Sequence, residues 1–238
     1  LDQVARLEVL TLTSEDLAKT ELYAQERRRR DLNEEIGRSG GSIGDYLRSL
    51  GMKMRIRLNA PEHVARLSQL TQKTNQFNLT TRRYDEQQIN AFIADEHWIV
   101  ADFSLADAFG DSGIVGLALI RRNWSREAEL ETFLMSCRVI GREAESAFLH
   151  ALMRRMARQG ATLLLADFRP TAKNDIVASF LPQQGFELGA DGRYRRDLVA
   201  CPPEPEERFP IAIDIDGNRD VMTEADDRSP EASATSKA

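Results

Sequence analysis

Residues able to do chemistry fall in three places. From Thr71 to Tyr84 the chain is dense in amides and hydroxyls and ends in Arg82 and Arg83. Asn75, Asn78 and Arg82 suit hydrogen bonds to a short oxygenated group, and Lys73, Arg82 and Arg83 suit a phosphate or carboxylate. The competing reading is a loop whose side chains cap its own backbone. The second place is Arg138-Val139-Ile140-Gly141-Arg142. N–H groups at a helix start bind anions, glycine lets them come close, and Arg138 and Arg142 add charge. The competing reading is a turn with solvated arginines. The third is Glu131, on the strand side opposite Leu130 and Thr132, which reads first as a solvent-facing or ion-paired carboxylate. Base action there needs a pKa moved by burial. Cys137 reads as a small buried apolar residue before it reads as a nucleophile.

These residues need elements to position them. Ser14, with Glu15 and Asp16 after it, opens a helix that runs to about Ile36 and stops at Gly37. Ser42 caps a short helix through Leu50, closed by Gly51. Met54, Ile56 and Leu58 alternate with basic residues, the period of a half-buried strand. Pro61 suits a helix start, and Val64, Leu67 and Leu70 share one helix face. Asp85 with Gln88 forms a capping box. Strands follow at Trp98 to Leu105, Ile114 to Arg121 and Ala128 to Ser136, with a turn at 109–113. Ala144, Ala147, Phe148, Ala151, Leu152 and Met156 make the best amphipathic face, ended by Gly160. Thr162 to Phe168 reads as a buried strand, Asn174 to Phe180 as a short helix, and a last strand lies near Tyr194. From Lys53 the order is β-α-α-β-β-β-α-β-α-β, without internal repeats.

Composition narrows the class. Of 238 residues, 42% are hydrophobic and 29% charged, the balance of an ordinary globular domain. Apolar runs such as Ile114 to Ile120 are too short to cross a bilayer, and no signal peptide is legible. Two cysteines build no disulfide framework, so a cytoplasmic setting is expected. His63, His97 and His150 have no ligand-spaced neighbours, so no metal site is expected. The net charge of −6 belongs to residues 201–238, where ten acids face four bases. The rest is neutral, with no pull toward nucleic acid. Arg27-Arg28-Arg29-Arg30 sits among Glu21, Glu26, Asp31, Glu34 and Glu35 and reads as an ion-paired helix face, with an acidic partner as the alternative. Cys201-Pro202-Pro203-Glu204-Pro205 marks a boundary, residues 210–215 suit a short strand, and disorder is expected from about Asn218. Leu1 in place of methionine suggests a missing N-terminal part.

The element order resembles that of GNAT-type acyltransferases. Arg138 to Arg142 resembles their Arg/Gln-x-x-Gly-x-Gly/Ala loop for the coenzyme A pyrophosphate. Asn174, Phe180 and Gln184-Gly185-Phe186 resemble their closing motif. Glu143 stands where Gly or Ala is usual, and Leu181 where a tyrosine often protonates the thiolate. More narrowly, Gln69 to Tyr84, Asp111 to Gly116, Phe133 to Arg142 and Pro170 to Asn174 resemble FkbH-like proteins. That resemblance implies an absent N-terminal haloacid-dehalogenase-like phosphatase domain, carrying Mg²⁺ on an Asp-x-Asp motif. It also implies glyceryl or acyl thioesters on an acyl carrier protein in polyketide-type biosynthesis. Asp214-Ile215-Asp216 lies outside such a domain and reads as coincidence.

The expectation is an α/β (α+β) chain: a GNAT-like mixed sheet flanked by helices over residues 52–198. Residues 1–51 are a helical junction and 199–238 an acidic tail. Arg138, Gly141, Arg142 and Asn174 would hold coenzyme A or a carrier's phosphopantetheine arm. Asn75, Asn78 and Arg82 would meet the acyl end, and Glu131 would be the base. A docking module without chemistry and a free-standing N-acetyltransferase using acetyl-coenzyme A are the alternatives. Neither nucleic acid nor membrane is an expected partner.

Overall fold

The computed structural model describes residues 14–123, 126–200 and 202–216. Helix α1 (Ser14–Arg38) and helix α2 (Ile43–Ser49) lead into strand β1 (Met52–Leu58). A 3-10 turn (Pro61–His63) opens α3 (Val64–Lys73), followed by β2 (Phe77–Asn78) and α4 (Glu86–Ala94). Then come β3 (Trp98–Asp107), β4 (Gly110–Arg122) and β5 (Glu127–Met135). After a 3-10 turn (Cys137–Val139) stand α5 (Ala144–Arg158) and β6 (Leu163–Ala166). The chain continues through α6 (Phe180–Gln183), β7 (Glu187–Leu188), β8 (Tyr194–Asp197), α7 (Pro205–Arg208) and β9 (Ile211–Asp216). The strands form one mixed sheet in the order β7-β8-β6-β5-β4-β3-β1-β9. β5 pairs with β6, and β1 with β9, in parallel; the other neighbours are antiparallel.

Local chemistry explains the helix starts. Ser42 and Asp45 form a reciprocal capping box for α2, and Asp85 and Gln88 do so for α4. The spacing of Ala144, Ala147, Phe148, Ala151, Leu152 and Met156 puts all six in the core beneath α5. On the opposite face Leu67 and Leu70 of α3 and Ile89 and Ile93 of α4 cover Val100, Leu117, Leu119 and Leu134. Phe103 stands opposite Gly116 in the β3–β4 register, and a Cβ on Gly116 would lie 1.9 Å from the Phe103 ring. Glycine is required there because the aromatic ring occupies the missing side chain's space.

Several expectations are corrected. The turn between β3 and β4 shrinks to residues 108–109; Ser112 and Gly113 are bulged within β4. Asp175–Val177 is a 3-10 turn and the helix follows at Phe180. The folded unit extends past residue 198. β9 pairs with β1, and Phe209 and Ile211 are core residues, so Asp214-Ile215-Asp216 is an edge strand. Tyr46, Leu47 and Leu50 likewise bury residues of the expected junction in the same core. The expected disorder from Asn218 lies outside the described residues.

Candidate functional site

A fork and a bulge shape the centre of the sheet. β6 pairs with β5 only from Glu127 to Leu130. Beyond that, the edge of β5 takes a different partner: Asn78 lies opposite Leu134 and Phe77 opposite Met135, and the Leu79 N–H donates to Phe133. The Leu79 carbonyl accepts from the Arg169 N–H, just past β6. The 77–79 segment therefore bridges the two diverging strands. At the fork, the β4–β5 register shifts between Leu119–Thr132 and Ile120–Leu130, which leaves Glu131 as a bulged residue. Bulges re-aim side chains and are frequent beside active sites.

The structure joins the expected base and one expected acyl-end residue through their charged side chains. Glu131 and Arg82 form an ion pair at the bulge, both partly buried. Thr80 donates to the Glu131 carbonyl at 3.2 Å, and the Tyr84 hydroxyl lies 3.1 Å from Thr132 Oγ1. Asn75 accepts from Arg83, which also reaches the Thr71 and Thr74 carbonyls.

Other expected residues have structural work instead. Asn78 is fully buried; it donates to the Thr74 carbonyl and accepts from the Thr81 N–H at 2.8 Å. Asn174 is also fully buried. Its amide donates to the carbonyls of Asn78 (2.9 Å) and Arg169 (3.0 Å), and its oxygen accepts from the Thr171 N–H and hydroxyl. These two amides pin the segments of the fork. A segment threaded between strands has no water, so its polar atoms are satisfied internally.

Arg142 is corrected too. It turns inward, 3.2 Å from Asp107 and 3.2 Å from Glu26. Asp107 also takes two bonds from Arg29, at 2.7 and 2.9 Å. Arg29 is 3% exposed, so the arginine run is not wholly a solvated face; this member anchors α1 to the sheet. Burial works to raise the Asp107 carboxyl, but the arginines and the Phe109 N–H hold it below its ordinary value.

What remains open at the start of α5 is Arg138, Gly141 and Cys137. Arg138 is exposed and touches the Ser112 carbonyl at 3.3 Å. Gly141 has φ +84, and a Cβ there would meet nothing, so the backbone faces open space. Cys137 is an exposed free thiol, contrary to the expected burial. Two acids crowd this helix start. Glu143 sits in the left-handed region at φ 60. Burial raises the Glu145 carboxyl, its own N–H opposes this, and Glu143 adds to the rise. Leu181, which stands in place of the expected tyrosine, is buried.

Sequence reasoning passed over His63, Arg66 and Asp102. The legible signal was a lone charged residue, Asp102, in the largely apolar run Trp98 to Leu105. No helix among the described residues is long and apolar enough to cross a membrane.

No protein-family model and no curated protein matches the chain. Solved structures similar to it include the ribosomal-protein-S18-alanine N-acetyltransferase from Escherichia coli, at 16% identity and a TM-score of 0.45, covering 60% of this chain and 90% of that one. Another is a putative GNAT-family acetyltransferase from Desulfovibrio desulfuricans, at 13% identity and TM-score 0.49, covering 62% and 99%. A third is PaiA N-acetyltransferase from Thermoplasma acidophilum in complex with coenzyme A, at 14% identity and TM-score 0.43, covering 61% and 99%.

Proposed function

We propose that this chain handles acyl thioesters as an acyltransferase of GNAT type. The observation that carries the reading is the Glu131–Arg82 pair at a bulge where two central strands part. The element order supports it, as does the open helix start at Arg138 and Gly141. The phosphate of coenzyme A, or of a phosphopantetheine arm, would meet Arg138 and the backbone at Gly141. The acyl end would lie toward Arg82. The thioester supplies an activated acyl carbon; this chain's part is to place it and to receive a proton at Glu131. Glu131 can accept that proton only when Arg82 releases it, so the ion pair governs when the base is available. In the finer form of the reading, an acyl carrier protein delivers a glyceryl or similar acyl group, as the FkbH-like resemblance implies. A haloacid-dehalogenase-like phosphatase domain, which the same resemblance implies, would then hold the Mg²⁺.

Calorimetry with coenzyme A and with a phosphopantetheinylated carrier thioester tests this. Saturable binding should weaken about tenfold or more in Arg138→Gln, the scale of one charge-assisted contact. Acyl movement to an added amine or thiol should vanish in Glu131→Gln. Absence of saturable binding by either compound refutes the proposal.

A specific observation favours a second reading, a docking module without chemistry. The edge of β5 that the fork exposes is already paired by Phe77, Asn78 and Leu79. An arm cannot lie along that edge unless the segment leaves. Binding without acyl movement, unchanged in Glu131→Gln, would select this reading.

A further inference from the structure

A second polar cluster, separate from the fork, lies where α3 begins above β3 and β4. Asp102 is 1% exposed in the middle of β3. Its carboxylate oxygens lie 3.0 and 3.1 Å from His63 Nδ1. Arg57 stands opposite Asp102 in the β1 register, and Glu62 precedes the histidine. Burial pushes the Asp102 carboxyl up, and His63 pulls it down. A carboxylate at Nδ1 fixes the ring with its proton there and leaves Nε2 as an acceptor. Nε2 has no hydrogen-bond partner among the described residues, and the side chain is 23% exposed.

Arg66 follows one helical turn later, so its Cβ lies about 5–6 Å from that of His63. Arg66 donates twice to the Ile114 carbonyl, at 3.2 and 3.0 Å, and once to Gln69. Arg138 donates to the Ser112 carbonyl, two residues away on the same strand, and to Ser136 Oγ. Neither guanidinium has a carboxylate partner among the described residues. Of five N–H donors each, Arg66 uses three and Arg138 two. Burial first, then the charge of Arg138, holds the Arg66 guanidinium below its ordinary value. An open cleft of about 370 Å³ lies alongside, where Lys53 and Arg55 of β1 face Ser104 of β3, Asp111 of β4 and Asp214 of β9. Ser104 is the next residue after Asp102 on that face of β3.

We propose that Arg66 and Arg138 bind a dianionic group, and that His63, held by Asp102, exchanges a proton with a hydroxyl or amine close to that anion. The ligand class is a small phosphate monoester bearing an alcohol or amine. Arg66 and Arg138 neutralise the phosphate with donors already oriented by the β4 carbonyls. His63 Nε2 takes the proton from the neighbouring O–H or N–H, leaving the lone pair on that atom, and the imidazolium is stabilised by Asp102. A dyad that merely neutralises a buried carboxylate needs neither the second arginine nor an Nε2 left without a partner.

Inorganic phosphate is the probe, with chloride at equal ionic strength as control. The His63 resonance, assigned by its loss in His63→Gln, should titrate at a higher pH when phosphate is bound. That rise should disappear in Arg66→Gln. Calorimetry should show phosphate binding weakened at least tenfold in Arg66→Gln and within threefold of normal in His63→Gln. A His63 midpoint that ignores phosphate, or moves equally with chloride, overturns the site. So does equal phosphate binding in Arg66→Gln, provided the variant melts at the normal temperature. Because Arg138 also serves the acyl reading, the two are told apart by Arg66. Loss of phosphate response with coenzyme A binding intact supports this site, whereas loss of coenzyme A binding in Arg138→Gln bears on the other.

Discussion

Asn174 shows how a ligand-like residue can be a structural one. Its four hydrogen bonds tie the loop after β6 to the carbonyl of Asn78, so both sides of the fork depend on one amide. Asn174→Ala removes the donor to two buried carbonyls and should cost about 2–6 kcal/mol, at about 1–3 kcal/mol per orphaned group. Urea denaturation measures it; a loss under about 0.5 kcal/mol, the range of surface changes, contradicts the assignment. The sequence marks residues 71–84 as chemically unusual but does not say which way the amides turn. That depends on Leu134, Phe133 and Arg169, which lie far along the chain. Arg142 is the same case. Its partners Asp107 and Glu26 are remote in sequence, so a helix-start arginine looked available when it is not.

At the scale of elements, local signals were legible because local chemistry makes them. The capping boxes at Ser42 and Asp85 and the apolar face of α5 fall where residue spacing puts them. Docking of elements was not legible. Helix α1 is held by buried charges, and Asp107→Ala would strand the guanidiniums of Arg29 and Arg142. This should cost about 3–5 kcal/mol and free α1 for proteolysis between Ser14 and Arg38. Native resistance in that variant contradicts the network's role. The C-terminal segment adds a pH-dependent contact. His150 is 2% exposed, packs edge-on against Phe209, and has no hydrogen-bond partner on either ring nitrogen. Burial, then the charge of Arg208, brings its pKa to about 4; the Gln184 amide beside the ring opposes this without reaching hydrogen-bond geometry, and Arg196 adds a smaller push. The folded state therefore binds fewer protons than the unfolded one, whose histidine titrates near 6.5. Stability is complete above about 6.5 and drains by about 3 kcal/mol as pH falls toward 4. Melting temperatures at pH 7.5 and 5 should differ for the native chain and much less for His150→Phe. Asp107 contributes in a separate, lower window, because its depressed carboxyl keeps its stabilisation until pH falls below the ordinary carboxylate range.

The whole molecule is one mixed sheet whose middle and one edge carry different chemistry. The expected β-α-α-β-β-β-α-β-α-β order is present with two short strands added, β2 between α3 and α4 and β7 before β8, and β9 extends it at the β1 edge. The close fit of Phe103 over Gly116 joins the two hairpin strands at its centre. Gly116→Ala should therefore destabilise the fold by about 1–3 kcal/mol or more, as overpacking does, read from the denaturation midpoint. An unchanged midpoint contradicts the packing described. Glu131 and Arg82 were each legible as chemical residues, but their pairing needs the bulge, which only strand register reveals. Under the proposed function, this chain would hold coenzyme A or a phosphopantetheine arm by its phosphate at Arg138. Titrating coenzyme A into the native chain and into Arg138→Gln tests it most directly. Saturable heat in the first, weakened at least tenfold in the second, is the predicted result; no saturable heat in the native chain, or equal affinity in both, contradicts it.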